Sequence, residues 1–301
     1  MDTGNFRGFR LELEDPGIAV ITFNEPDHLN PMTIGMKRDL VETMTQAQLD
    51  DRVRVVLITG EGRAFCSGDG GPYLGGGGPE GPRQERTALA PPLRDPWRPR
   101  DGQRISAIGT YDALRSLSQS VNLAIRALDK LSIAAINGIT VQTGLSLALS
   151  CDFRIASTTA RLSSATLRFA LQPDEGGHYL LVQLIGVART MEFLMRKRVV
   201  SGEEALELGI IHEAVEPDRL MARAMEFARE LANGPQVAMR LLKRSIYNAA
   251  EMGMAEAFDD IATKTAISDH HPDSREGIAA FREKRPPRFN QWLEEQSGTP
   301  E

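Results

Sequence analysis

Two short glycine-containing segments constrain this chain more than any other feature: Ala64-Phe65-Cys66-Ser67-Gly68-Asp69-Gly70 and Ala135-Ile136-Asn137-Gly138-Ile139-Thr140-Val141-Gln142-Thr143-Gly144. Each follows a β-type apolar run, and each ends in backbone that few side chains obstruct. Strand, turn and helix signals follow one another around both, so the expected fold class is α/β. A carbonyl that gains negative charge during a reaction is best stabilised by backbone N–H groups fixed beforehand at its oxygen, one such donor contributing roughly 3 to 4 kcal/mol. The two segments read together as the halves of an oxyanion hole.

With 301 residues, 41% hydrophobic and 25% charged, the chain can bury one large core or a core with an appendage, which excludes disorder as a whole-chain explanation. A net charge of −6 supplies no diffuse basic field and argues against nucleic acid or an anionic membrane as a partner. The start, Met1 to Asn5, carries no basic-then-apolar leader, and no uninterrupted apolar stretch of about 18 residues occurs, so a cytoplasmic protein is expected. Cys66 and Cys151 sit among apolar neighbours and read as reduced core thiols. His28, His212, His270 and His271 lack metal-ligand spacing, and no metal is expected.

Phe9, Leu11 and Leu13 alternate with Arg10, Glu12 and Glu14, and 18–23 is nearly all apolar, predicting two strands joined at Asp15-Pro16-Gly17. Thr33 suits the cap of a helix striped with Ile34, Leu40, Val41, Met44 and Leu49. Residues 53–59 read as a buried strand leading into the first glycine segment. Over about 71–109, a glycine run and seven prolines interspersed with arginines predict an irregular insertion, either a solvated loop or a lid. Helical spacing returns over 114–131, followed by a strand at 133–136, a small-residue helix at 144–150 and a strand at 153–156. Beyond Gly176 the pattern is almost wholly helical, with helices expected at 177–185, 188–195, 202–208, 217–232, 235–249, 255–267 and 274–284.

An ordered set of residues resembles the crotonase family, the enoyl-CoA hydratase/isomerase superfamily. It comprises Val20-Ile21-Thr22-Phe23-Asn24-Glu25-Pro26 with Leu29-Asn30, Thr59-Gly60-Glu61-Gly62-Arg63-Ala64-Phe65-Cys66-Ser67-Gly68, Ala135-Ile136-Asn137-Gly138, Cys151-Asp152, and the tail from Glu276-Gly277 through Ala280-Phe281 to Phe289. The resemblance implies a crotonase-like spiral of repeated ββα units over 1–200 and a C-terminal helical trimerisation region over 201–301. It also implies homotrimers, often as a dimer of trimers, and acyl-CoA thioester substrates, CoA being part of the substrate and no separate cofactor being needed. By position, the oxyanion amides fall on Asp69 and Thr143. CoA falls around His28, Leu29, Ser67 and Gly71, with Phe281 and Lys284 covering the adenine and phosphates. A carboxylate about 6 Å from an enolate oxygen opposes it by roughly 3 kcal/mol at an effective dielectric of about 20. The Asp69 side chain is therefore expected to point away or be neutralised by an arginine.

The two glutamates that activate water in family hydration correspond to Ser146 and Thr166, neither of which can serve as a carboxylate base. Plain hydratase chemistry is therefore not expected. Asp174, within Gln172-Pro173-Asp174-Glu175-Gly176-Gly177-His178, matches a working aspartate of other branches, including dienoyl-CoA isomerases and an aryl-CoA dehalogenase. It is the first candidate for a base that abstracts or returns an α- or γ-proton; the competing role is a helix cap. Glu175 and His178 rank behind it. The expectation is an acyl-CoA enzyme that stabilises a thioester enolate for isomerisation or a related lyase step. The alternatives are a hydrolase or C–C bond-cleaving enzyme on a cyclic acyl-CoA, and a non-catalytic acyl-CoA-binding member.

Overall fold

The opening alternation forms the hairpin it predicts: β2 (Phe9–Glu14) pairs antiparallel with β3 (Ile18–Phe23), and β1 (Gly4–Phe6) adds an edge. The computed structural model describes residues 1–69, 89 and 106–293. Most of the insertion expected at 71–109 therefore lies outside the described residues, as does Gly71. Thr33 caps α1 (Ile34–Leu49), its hydroxyl accepting from the Met36 amide at 3.2 Å.

From there one unit recurs. β4 (Val55–Gly60) and β5 (Ala64–Cys66) precede α2 (Ala107–Ala113), a π-helical turn at Leu114–Ser118 and α3 (Gln119–Ala127). β6 (Leu131–Ile136) and β7 (Ile139–Val141) lead to α4 (Thr143–Ser150), and β8 (Phe153–Ser157) and β9 (Arg161–Ser163) lead to α5 (Gly177–Met195). The first strand of each unit joins a seven-stranded sheet, β1-β2-β3-β4-β6-β8-β11, and the second joins a four-stranded sheet, β10-β9-β7-β5. Within both sheets the strands of successive units run parallel, which makes the chain a ββα spiral.

The apolar runs are buried on both faces and sort by a period of two. Ala19, Ile21, Val56, Ile58, Ala134 and Ile136 enter the larger core, together with Met36, Leu40 and Met44 of α1. Ile18, Val20, Val55, Leu57 and Ile133 face the other way, onto Leu220, Ala224, Ala228 and Leu231 of α7 (Leu220–Asn233).

The helices expected after Gly176 form, α5 as two stretches joined at Gly186, where φ is 74°. They continue as α6 (Gly202–Leu208), α7, α8 (Gln236–Ala249), α9 (Met254–Asp269) and α10 (Pro272–Glu283). Two short strands interrupt them, β10 (Val200–Ser201) and β11 (Glu213–Val215), and β11 extends the larger sheet parallel to β8.

Candidate active site

Missing side chains bring the two glycine turns into contact. A Cβ on Gly144 would lie 2.4 Å from the Cys66 carbonyl oxygen, and one on Gly68 would lie 2.8 Å from Gln142 Oε1. Thr143 opens α4, and helix geometry leaves its amide without an intrahelical acceptor. Just before it, Gln142 holds φ 52° and ψ −114°, a conformation that suits glycine and that side-chain-bearing residues seldom adopt.

Beneath these turns lies a polar cluster. Lys37 of α1 is buried, and its Nζ reaches Asp69 Oδ1 at 2.6 Å, Ser118 Oγ at 2.9 Å and Glu175 Oε1 at 3.1 Å. The Thr143 hydroxyl lies 2.9 Å from Asp69 Oδ1 and 2.7 Å from Glu175 Oε1. Asp69 is thus neutralised by a lysine, not by the expected arginine. An ammonium on the apolar face of α1 must find buried partners, because an unpaired charge there would carry a prohibitive desolvation cost. Lys37 sits three residues after Ile34 and three before Leu40, and that interruption of the stripe is the sequence signal that reveals it.

Burial pushes the Glu175 carboxyl up; Lys37 opposes the rise and Asp69 adds to it, leaving the group at about 7. For Lys37, burial disfavours the charge, but Asp69 and Glu175 outweigh it and the ammonium is held above its ordinary pKa. Asn122 of α3 fixes the loop from behind, its Nδ2 donating to the Glu175 carbonyl at 2.7 Å.

A small cleft of about 10 Å³, room for little more than a water molecule, adjoins the cluster, and Gln142, Ser146, Thr166, Asp174 and Glu175 are among its walls. Ser146 and Thr166 are buried there and bring hydroxyls where the resemblance would have brought carboxylates. Asp174 reaches solvent at this cleft, yet the surrounding walls desolvate it enough to raise its pKa. It does not cap α5: the N-cap is Gly176, with no side-chain hydrogen bond to the helix. His178 is exposed on the first turn of α5.

The enoyl-CoA hydratase/isomerase family model matches residues 14–86 and 102–292. The chain belongs to this family. It is 31% identical over 284 residues to the 1,2-epoxyphenylacetyl-CoA isomerase of Escherichia coli, covering 93% of this chain and 98% of that protein. It is 30% identical over 286 residues to an enoyl-CoA hydratase of Alternaria alternata, covering 94% and 86%. The crystal structure of an enoyl-CoA hydratase from Bacillus anthracis superimposes with a TM-score of 0.80 at 27% identity, covering 94% of this chain and 99% of that one.

Of the CoA positions that the enoyl-CoA hydratase/isomerase resemblance implied, three come together. His28 ends a short 3-10 turn, and the adjacent Leu29 accepts from the Ser67 amide at 3.1 Å. Phe281, 85% exposed, and Lys284, just past the end of α10, stand in the helical region. No hydrogen bond or ion pair of the described residues joins them to Leu29 or Ser67. Among the described residues, no three His, Cys, Asp or Glu side chains form a metal-holding group, and no helix is long and apolar enough to cross a membrane.

Proposed function

We propose that this family member binds an acyl-CoA thioester and stabilises its enolate for proton transfer, shifting a double bond or carrying out a related lyase step, with Asp174 as the base. One observation carries the reading. Ser146 and Thr166 line the cleft with no carboxylate of their own, while Asp174, also among its walls, is not spent on capping α5. In the step envisaged, the Asp174 carboxylate takes a proton from the α- or γ-carbon and the electron pair moves onto the thioester oxygen. The amides of Asp69 and Thr143 stabilise that charge, and Asp174 returns the proton at the other end of the allylic system. Contact between the two glycine turns supports this pairing of amides.

CoA takes part in this scheme only as the carrier of the acyl group, held near His28, Leu29, Ser67 and Gly71, and no separate cofactor enters. Exposed apolar residues on three helices, Val187 and Met191 on α5, Leu242 and Ile246 on α8 and Phe258 on α9, support assembly into a homotrimer or a dimer of trimers. In such an assembly a neighbouring subunit would bring Phe281 and Lys284 over the adenine and phosphates. The proposed setting is cytoplasmic.

The test is turnover of enoyl-, dienoyl- and cyclic acyl-CoA esters by the wild type and by Asp174→Asn. Isomerised product from the wild type and its loss in the variant are expected; equal turnover by both removes Asp174 from the mechanism. Release of free acid, or cleavage of a ring, would instead favour hydrolase or C–C lyase chemistry. Tight binding of every ester with turnover of none would make the protein an acyl-CoA binder.

A further inference from the structure

Asp69 poses a difficulty for the enolate chemistry just proposed, because its own amide is one of the two donors to the developing negative charge. Two carboxylates and one ammonium make the cluster of Lys37, Asp69 and Glu175 net negative when all three are ionised. Both carboxylates place one oxygen on the same two donors, Lys37 Nζ and Thr143 Oγ1. The three hydrogens of Lys37 are met by Asp69, Glu175 and Ser118, and a hydroxyl can give its one hydrogen to only one acceptor at a time. With both carboxylates ionised, one of the two oxygens is therefore left without the Thr143 hydrogen. A single proton on Glu175, the buried carboxyl, removes the deficit and brings the cluster to neutrality.

We propose that Lys37 is a positioning residue of the reaction: it draws Asp69 and Glu175 into one cluster that keeps a single proton, so the oxyanion hole has a neutral neighbour. This inference rests on the enolate reading above and adds residues to it. The groups facing Glu175 are Lys37 from α1, Asn122 from α3, Asp69 and Cys66 from the first glycine turn, Thr143 from α4 and Asp174 from its own loop. The Glu175 side chain is 3% exposed and that of Asp69 42%, so the proton resides on Glu175, the drier of the two. The rise of the Glu175 carboxyl to about 7 accords with this arrangement.

The experiment combines kinetics with direct titration. In the wild type, kcat falls as pH rises above about 7, when the cluster turns negative. Glu175→Gln, nearly isosteric, fixes the cluster neutral and removes that alkaline decline. Lys37→Met leaves it negative and lowers kcat on the order of tenfold to a hundredfold, with KM for the ester little changed. Adding Asp69→Asn to Lys37→Met rebalances the charge and restores most of kcat, a rescue that a purely structural lysine would not show. Carbon-13 NMR of carboxyl-labelled glutamate shows one group titrating near neutrality in the wild type and missing in Glu175→Gln, whether or not Lys37→Met folds. Glutamates that all titrate in the ordinary carboxylate range overturn the proposal. So does an alkaline decline retained in Glu175→Gln, and if Asp174→Asn still abolishes turnover, the proposed function survives that failure. Absence of turnover by the wild type on every ester overturns the function itself and, with it, the positioning role.

Discussion

Lys37 and Glu175 lie 138 positions apart in the chain and meet at 3.1 Å in its interior, with Asp69 on the same ammonium at 2.6 Å. Burial moves the Glu175 carboxyl from its ordinary 4.5 to about 7, so the folded protein binds this proton more tightly than the unfolded chain does. The stability this adds is full below the unfolded value and is lost as pH rises through the folded one, amounting to about 3 kcal/mol at most. Urea denaturation between about pH 5 and pH 8 is expected to show stability declining with pH, and Glu175→Gln is expected to flatten the slope. A slope that persists in the variant would place the effect on another group.

Asp174 and Glu175 are sequence neighbours with opposite environments, one reaching solvent at the cleft and the other buried on Lys37. Because Asp174 makes no cap hydrogen bond, Asp174→Asn removes a base without removing a structural anchor. The expected outcome is a loss in kcat of about 10² to 10⁴ and a change in stability within about 0.5 kcal/mol. Only the ionised carboxyl accepts a proton, and burial raises its pKa. The acid limb of the wild-type kcat/KM profile is therefore expected above the usual aspartate range, and residual activity in the variant should lack it.

What was legible in the sequence followed from local rules. Alternation announced β2, a nearly all-apolar run announced β3, Thr33 announced α1, and the run before the first glycine turn announced β4. Strands β5, β7 and β9 hold three residues each, too few for a period to emerge, although they build the second sheet. The resemblance brought Asp69, Thr143 and Asp174 forward, with Glu175 ranked behind, but the grouping of Asp69, Thr143 and Glu175 around Lys37 depends on α1 packing beneath both turns, a long-range contact that no local pattern encodes. The ranking of Asp174 over Glu175 could not anticipate that the loop before α5 turns one carboxyl out and the next one in.

Gly144 separates helix propensity from tertiary packing. Alanine there would favour α4 by up to about 1 kcal/mol on propensity alone. Its Cβ, however, would fall 2.4 Å from the Cys66 carbonyl oxygen and 2.7 Å from the Cys66 Cβ, contacts that only a backbone shift can relieve. Gly144→Ala is expected to destabilise the protein by about 2 kcal/mol net. Turnover should fall further than stability, because the shift moves the Thr143 amide away from that of Asp69. Wild-type stability by urea denaturation would show that the turns tolerate separation.

Gln142 carries the opposite prediction for stability. At φ 52° and ψ −114° its backbone is strained, and such a residue costs about 1 to 3 kcal/mol. Glycine relieves the strain but gives back about 0.5 to 1 kcal/mol in unfolded-state entropy. The backbone bonds at this position, Gln142 N to the Ser163 carbonyl at 3.2 Å and Ser146 N to the Gln142 carbonyl at 2.9 Å, are available to glycine as well. Gln142→Gly is therefore expected to stabilise the protein by about 1 kcal/mol, read as a higher midpoint in urea. If the strained turn also serves to aim the Thr143 amide, the same variant loses kcat while gaining stability, since a freer turn holds that donor less rigidly. A variant that loses both would show that the Gln142 side chain, which lines the cleft, contributes more to the fold than its backbone conformation takes away.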